Sequence, residues 1–169
     1  MKNDLEKALL DKITDIAALK GRISQWHSEG KKVVFTNGVF DLLHIGHITY
    51  MAKAADLGDK LIIGLNSDAS VKRIKGDDRP VNDQNSRAAL LAALFFVDAI
   101  VVFEEDTPIN LITALMPDIL VKGADYSIDN IVGAKEVMAN GGEVKTIDFV
   151  DGYSSTSIIQ KIRKQITHQ

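Results

Sequence analysis

Cysteine is absent from this chain of 169 residues, and proline occurs only three times. The first absence excludes a disulfide framework, a cysteine-ligated zinc site and a thiol nucleophile. The second leaves most of the chain free of the residue that interrupts helices and sheet ladders; Pro80, Pro108 and Pro117 all fall near expected element boundaries. Neither sign of charge dominates. Twenty Lys and Arg stand against 23 Asp and Glu, a formal net charge of −3, so bulk charge draws the chain neither to nucleic acid nor to an anionic membrane. Long apolar runs are missing as well: the longest, Ala88 to Val97, is too short to span a bilayer and directly follows Arg87. The first residues, MKNDLEKALLDKITDIAALK, are charged and amphipathic with no small-residue cleavage site, and neither end carries a lipidation signal. These absences lead to the expectation of a cytoplasmic protein with no membrane and no nucleic-acid partner.

What is present is an ordinary globular composition, 46% hydrophobic and 25% charged. A chain of this size buries roughly 68–70% of its unfolded surface, enough for one core, so residues 1–169 read as a single domain. Short apolar runs alternate with helical stretches. Val33-Val34-Phe35, Leu61 to Leu65, Ala99 to Phe103, Ile119-Leu120-Val121 and, more weakly, Val144 to Ile147 read as strands. Helical periodicity lies between them, near 46–57, 85–97, 107–115, 130–140 and 154–165. Continuously apolar strands separated by helices predict a parallel sheet covered on both faces. The expected fold is therefore α/β, a Rossmann-like, doubly wound, five-stranded sheet over residues 31–169. A helical extension over residues 1–30 precedes it, with Leu5, Leu9, Ile16, Leu19, Ile23 and Trp26 on its apolar face and a potential break at Ile13-Thr14-Asp15. The polar stretch Asn66 to Asn85 reads as a long functional or mobile loop.

In an open α/β sheet, ligands bind beyond the carboxyl ends of the strands. The segment after the first strand, Thr36-Asn37-Gly38-Val39-Phe40-Asp41-Leu42-Leu43-His44-Ile45-Gly46-His47, is polar, glycine-containing and runs into a helix. It holds neither G-x-x-x-x-G-K-[ST] nor any G-x-G pair. What it offers instead is two histidines three residues apart on a first helical turn, where side chains share a face and free amides favour an anion. Gly46 between them would let a phosphate approach the backbone. Taken alone, H-x-x-H reads equally as a helix cap beside a surface residue. It also reads as two ligands of a metal site, for which no third ligand stands in register. The position after a strand and the flanking T-N-G-x-F-D favour phosphate.

T-N-G-V-F-D-L-L-H-I-G-H resembles the first signature of the HxGH nucleotidyltransferase superfamily, to which the cytidylyltransferases and pantetheine-phosphate adenylyltransferase belong. Tyr153-Ser154-Ser155-Thr156-Ser157 resembles its second, a Ser/Thr motif opening a late helix. Further segments, among them L-N-S-D-A-S-V-K-R-I-K-G, F-E-E-D-T-P and P-D-I-L-V-K-G-A-D-Y, are similar to the heptose 1-phosphate adenylyltransferases, the adenylyltransferase half of bifunctional ADP-heptose synthesis enzymes. The resemblance covers about residues 31–165 and implies a stand-alone form of that half. It implies adenylyl transfer from ATP to D-glycero-D-manno-heptose 1-phosphate, giving ADP-heptose and pyrophosphate for lipopolysaccharide core or related surface glycans. Two other readings remain: a cytidylyltransferase of the same fold acting on glycerol 3-phosphate, and a nucleotide-binding module without catalysis.

The resemblance also distributes roles. His44, His47 and Lys122 would act in catalysis, with Lys122 otherwise an edge lysine reaching water. Thr36, Asn37, Gly38, Phe40 and Gly46 would contact the nucleotide from the first loop, and Asp125, with Tyr126 beside it, would border it. Tyr153, Ser154, Ser155 and Thr156 would offer hydroxyls and amides to its phosphates; their other reading is an ordinary helix cap. Asp41, Asn66 and Asp68 would face the second substrate, Asp41 reading equally as a capping side chain. Lys72, Lys75 and Arg79 would supply cations to the sugar phosphate. Arg87, unfavourable at a helix start unless it meets an anion, would bind phosphate or a structural carboxylate. Mg²⁺ is expected on the ATP phosphates rather than in a protein cage, and superfamily habit implies a homodimer.

Overall fold

The computed structural model describes residues 4–125 and 127–166. Two short elements lead in: α1 (Leu5–Leu10) and the two-residue strand β1 (Ile13–Thr14), followed by α2 (Ile16–Ser28). The core then runs β2 (Val33–Gly38), α3 (Ile45–Ala55), β3 (Lys60–Asn66), α4 (Asp68–Lys75), α5 (Gln84–Ala92) and β4 (Ala99–Phe103). It closes with α6 (Ile109–Leu115), β5 (Ile119–Gly123), α7 (Ala134–Ala139), β6 (Glu143–Ile147) and α8 (Ser155–Ile166). The sheet has six strands in the order β1-β4-β3-β2-β5-β6, and every pairing is parallel.

The expected doubly wound α/β architecture is present, with one strand more than the five anticipated. The extra strand is β1, which pairs with Ile100 and Val101 at the edge of β4 and splits the helical extension where a break was foreseen. Two residues are too few to show periodicity in a sequence. A second difference falls in the polar stretch after β3. Residues 68–75 are helical, because Ser67 accepts from the Ser70 amide at 3.1 Å and Lys72, Arg73 and Lys75 sit in the last turn, where they complement the helix dipole.

The strands are apolar throughout because both sheet faces are buried, and alternate residues serve opposite cores. Val33 and Phe35 of β2 join Leu19, Ile62, Leu111 and Val137 under α2, α6 and α7. Val34 joins Tyr50, Met51, Ile63 and Leu91 under α3 and α5. Among the described residues, no helix is long and apolar enough to cross a membrane.

Candidate active site

The strand order reverses between β2 and its two neighbours, β3 and β5, and a cavity of about 560 Å³ opens there, beyond the carboxyl ends of the strands. Its size is that of a small-molecule site. The loop leaving β2 forms its floor. Phe40 takes the left-handed conformation at φ 46, which is costly for a bulky residue. Three contacts hold it. Its ring covers Gly38, where a Cβ would stand 2.9 Å from the ring. Arg87 donates from Nη1 to the Val39 carbonyl at 2.7 Å. The Asp41 carboxylate then accepts from the amides of Val81 and Asn82 and from Arg79 Nε at 2.7 Å.

That arrangement changes the roles of several residues. Asp41 lines the cavity but is 1% exposed, and its carboxylate is engaged by the 79–82 segment, so its side chain clamps that loop. Burial alone would push its pKa up, but the Asn82 and Val81 amides and the Arg79 guanidinium hold it below the ordinary value. Arg87 is wholly buried, donating to the Asn82 and Val39 carbonyls and to Asp68 Oδ1 at 2.8 Å. It meets the structural carboxylate, the second of its two expected partners, and neither Arg87 nor Asp68 is in the cavity lining. Lys72 lies on α4 outside the cavity lining, whereas Asn66, Lys75 and Arg79 line it.

His44 caps α3 and His47 sits on its first turn, as their spacing demands. Their imidazoles stack with centroids 3.8 Å apart and planes 22° from parallel. Burial lowers the pKa of both; His47, which also feels His44, falls to about 4 despite weak opposition from the Leu42 backbone. Two stacked rings cannot both carry charge cheaply, so the pair is neutral at pH 7. Nδ1 of each ring is buried without a partner in hydrogen-bond geometry, an expense of the kind found at functional sites. Gly46 is buried too, and a Cβ there would stand 3.0 Å from His44 Nδ1. Its missing side chain thus makes room for the His44 ring, where closer approach of a phosphate had been expected.

Lys122, one residue from the end of β5, donates to Asn37 Oδ1 at the end of β2. Burial pulls its pKa down to about 8, against the favourable charge of Asp125. The sign of the consequence follows. Lys122 carries its charge below about pH 8 and loses it above, so affinity for tripolyphosphate should fall as pH rises through that value. Titration calorimetry across the range checks this, and Lys122→Met should abolish the limb. Stability moves oppositely, since between about 8 and 10.5 the unfolded chain binds the extra proton.

The start of α8 closes the cavity. Ser154 Oγ accepts from the Ser157 amide at 3.0 Å, and Ser155 Oγ donates to the Leu42 carbonyl at 2.9 Å, tying α8 to the histidine loop. Both hydroxyls have partners within the protein, and Ser154 and Ser155 line the cavity together with Thr156 and Tyr153 at the start of the helix. Thr36 is buried behind the lining, its hydroxyl 2.8 Å from that of Tyr50. Tyr126 lies outside the described residues. Tyr50, Phe149, Val39, Ile74 and Gly123 also line the cavity; sequence reasoning missed them because each is an apolar or aromatic residue inside an ordinary core pattern. Among the described residues no three His, Asp or Glu side chains cluster to hold a metal.

The cavity presents neutral imidazoles, a helix N-terminus, Lys122 from β5, Lys75 from the end of α4 and Arg79 from the loop after it, a lining suited to an anionic guest. An α/β nucleotidyltransferase-type domain is the class that such a fold and site define. The chain belongs to the cytidylyltransferase-like family, whose model matches residues 35–161. It is 56% identical over 151 residues, 89% of its length, to the bifunctional protein HldE of Citrifermentans bemidjiense, and 57% identical over 148 residues, 88% of its length, to that of Cronobacter sakazakii. Both alignments take in only 31% of the relative, so the chain spans under a third of the length of these two proteins. Among solved structures it resembles the lipopolysaccharide core biosynthesis protein from Thermoplasma volcanium, with 32% identity, a TM-score of 0.58 and coverage of 74% of this chain and all of that one.

Proposed function

We propose that the chain transfers the adenylyl group of MgATP to D-glycero-D-manno-heptose 1-phosphate, forming ADP-heptose and pyrophosphate for lipopolysaccharide core or surface glycans. The observation that carries a two-phosphate reaction is the placement of cations on opposite sides of the histidine pair: Lys122 comes from β5, and Lys75 and Arg79 follow β3. The resemblance to heptose 1-phosphate adenylyltransferases supports this choice of the two substrates, and the similarity to bifunctional HldE proteins agrees with it. A cytoplasmic location and a homodimer belong to the same reading.

In this scheme an oxygen of the sugar phosphate attacks the α-phosphorus of ATP in line. The new O–P bond forms as the bond to the β-phosphate bridging oxygen breaks, and its electron pair leaves on pyrophosphate. A phosphate monoester with a second pKa near 6 is already largely dianionic at pH 7, so the step needs no general base. The protein supplies position and charge compensation. Arg79, oriented by Asp41, and Lys75 hold the attacking phosphate apart from ATP. The His44–His47 pair and the α8 amides face the charge that grows toward pyrophosphate. Mg²⁺ arrives on the ATP phosphates as part of the substrate and neutralises them.

Pyrophosphate release tests this reading. Purified chain with MgATP should release pyrophosphate with a heptose 1-phosphate anomer and remain near background with glycerol 3-phosphate. Faster release from CTP would convert the reading to a cytidylyltransferase. Silence with every acceptor, alongside measurable ATP binding, would leave a nucleotide-binding module.

A further inference from the structure

We propose that Phe149 is the platform on which the nucleotide base stacks, and that this ring, seated on Gly123 and backed by Tyr50, gives the cavity its preference for a purine. The inference rests on the reading above that a nucleoside triphosphate occupies the cavity.

Topology sets the place. A triphosphate held at the start of α3 and at the N-terminus of α8 lies over the end of β2, and its nucleoside must extend sideways. On one side, past β3, stand Lys75 and Arg79; on the other is the end of β5, where Gly123 is the last residue, with Phe149 two residues beyond the end of β6. The aromatic ring thus lies on the flank that the second anion site leaves free.

The ring is seated, not loosely draped. A Cβ at position 123 would stand 2.1 Å from Phe149 Cε2 and 2.3 Å from Cζ, so only glycine lets the ring lie there. Tyr50 stands beside it, with ring centroids 5.2 Å apart and planes 27° from parallel. Tyr50 is itself buried and fixed by the hydroxyl contact with Thr36, and burial pushes its phenol up to about 12, so it stays neutral. Thr36, expected to touch the nucleotide, thereby acts two residues away from it. Yet Phe149 remains 49% exposed, a large apolar ring half in water at the cavity wall. A ring seated on Gly123 and stacked beside Tyr50, with surface left open, is built to receive another flat ring. A purine covers more of it than a pyrimidine does.

The test uses the full chain and two probes, ATP and tripolyphosphate, which share the phosphates and differ in the nucleoside. Phe149→Leu keeps an apolar cover and loses the π face; Phe149→Tyr keeps the face. For Phe149→Leu, ATP affinity by calorimetry should fall roughly 10- to 100-fold, the range that base stacking on one aromatic ring commands. Tripolyphosphate affinity should stay within about twofold, the ratio of ATP to CTP affinity should shrink, and Phe149→Tyr should bind ATP as the unaltered chain does. Equal loss for ATP and tripolyphosphate would make Phe149 a merely structural residue and overturn the platform. So would unchanged ATP affinity in Phe149→Leu while the unaltered chain binds ATP and releases pyrophosphate; the adenylyl-transfer reading would then survive alone. No ATP binding by the unaltered chain would overturn both.

Discussion

Replacing His47 with alanine is expected to lower kcat by roughly 10²- to 10³-fold, the cost of losing one preorganised donor to developing charge, while the KM for ATP changes far less. His44→Ala should behave alike. The reasoning starts from the stack. Rings 3.8 Å apart, one with its pKa pulled to about 4, stay neutral at pH 7, so they add no full charge to ground-state ATP binding. Their N–H donors gain strength only as negative charge accumulates beside them, which is the condition for raising kcat rather than lowering KM. Steady-state kinetics decides the matter. Proportionate changes, with KM rising as far as kcat falls, would assign the pair to ordinary ATP binding. The doubly substituted chain should lose less than the product of the two single losses, because stacked rings act as one unit.

Arg87→Ala should destabilise the fold by about 3–5 kcal/mol, the combined cost of a large core truncation and of carbonyls left without their donor. For a chain of this size that corresponds to a midpoint lower by roughly 10 °C. The guanidinium is fully buried and donates to two carbonyls and one carboxylate, drawn from the β2–α3 loop, the segment before α5, and α4. Without it the Val39 and Asn82 carbonyls lose a donor, and the left-handed turn at Phe40 loses one of its three restraints. Asp68→Asn is the natural contrast: it keeps the oxygen that accepts from Arg87, on a side chain 35% exposed, so its loss should stay near 1 kcal/mol. Thermal and urea unfolding of both variants checks the pair of values. A loss under about 1 kcal/mol for Arg87→Ala would mean that the loop is held by its other contacts.

Much of this architecture was legible beforehand because it rests on patterns that sequence carries directly. Runs such as Leu61-Ile62-Ile63 are apolar at every position only if both sheet faces are covered, and that placed the strands and the class of fold. His44 and His47 were legible because their spacing and their place after a strand leave few alternatives. The shortfalls share a physical origin. β1 consists of two residues, below the length at which periodicity means anything, and α4 forms in a polar stretch because of a single cap, Ser67. Arg87 read as a partner of phosphate or of a structural carboxylate, because sequence displays charge but not who answers it; in the fold it meets the carboxylate of Asp68. Thr36 and Gly46 lie behind the lining, each against a residue that does line the cavity, Tyr50 in one case and His44 in the other. Tyr50 and Phe149 gave no signal, since an aromatic residue in a helix or after a strand is most often simply core.

Helix α8 supplies the cavity's N-terminal wall, yet none of its residues is buried. Two of its anchors are polar: Ser155 to Leu42 across 113 residues of chain, and Arg163 to Asp78 at 2.7 Å on the surface. An element fastened this way opens at a small fraction of the free energy needed to unfold the sheet. Its amides should therefore exchange with solvent deuterium long before those of β2, β3 or β5 do, and occupation of the phosphate site should slow that exchange. The half of the site formed by α3 should stay protected throughout, so that a bound nucleotide would find one wall fixed and the other still to be fastened.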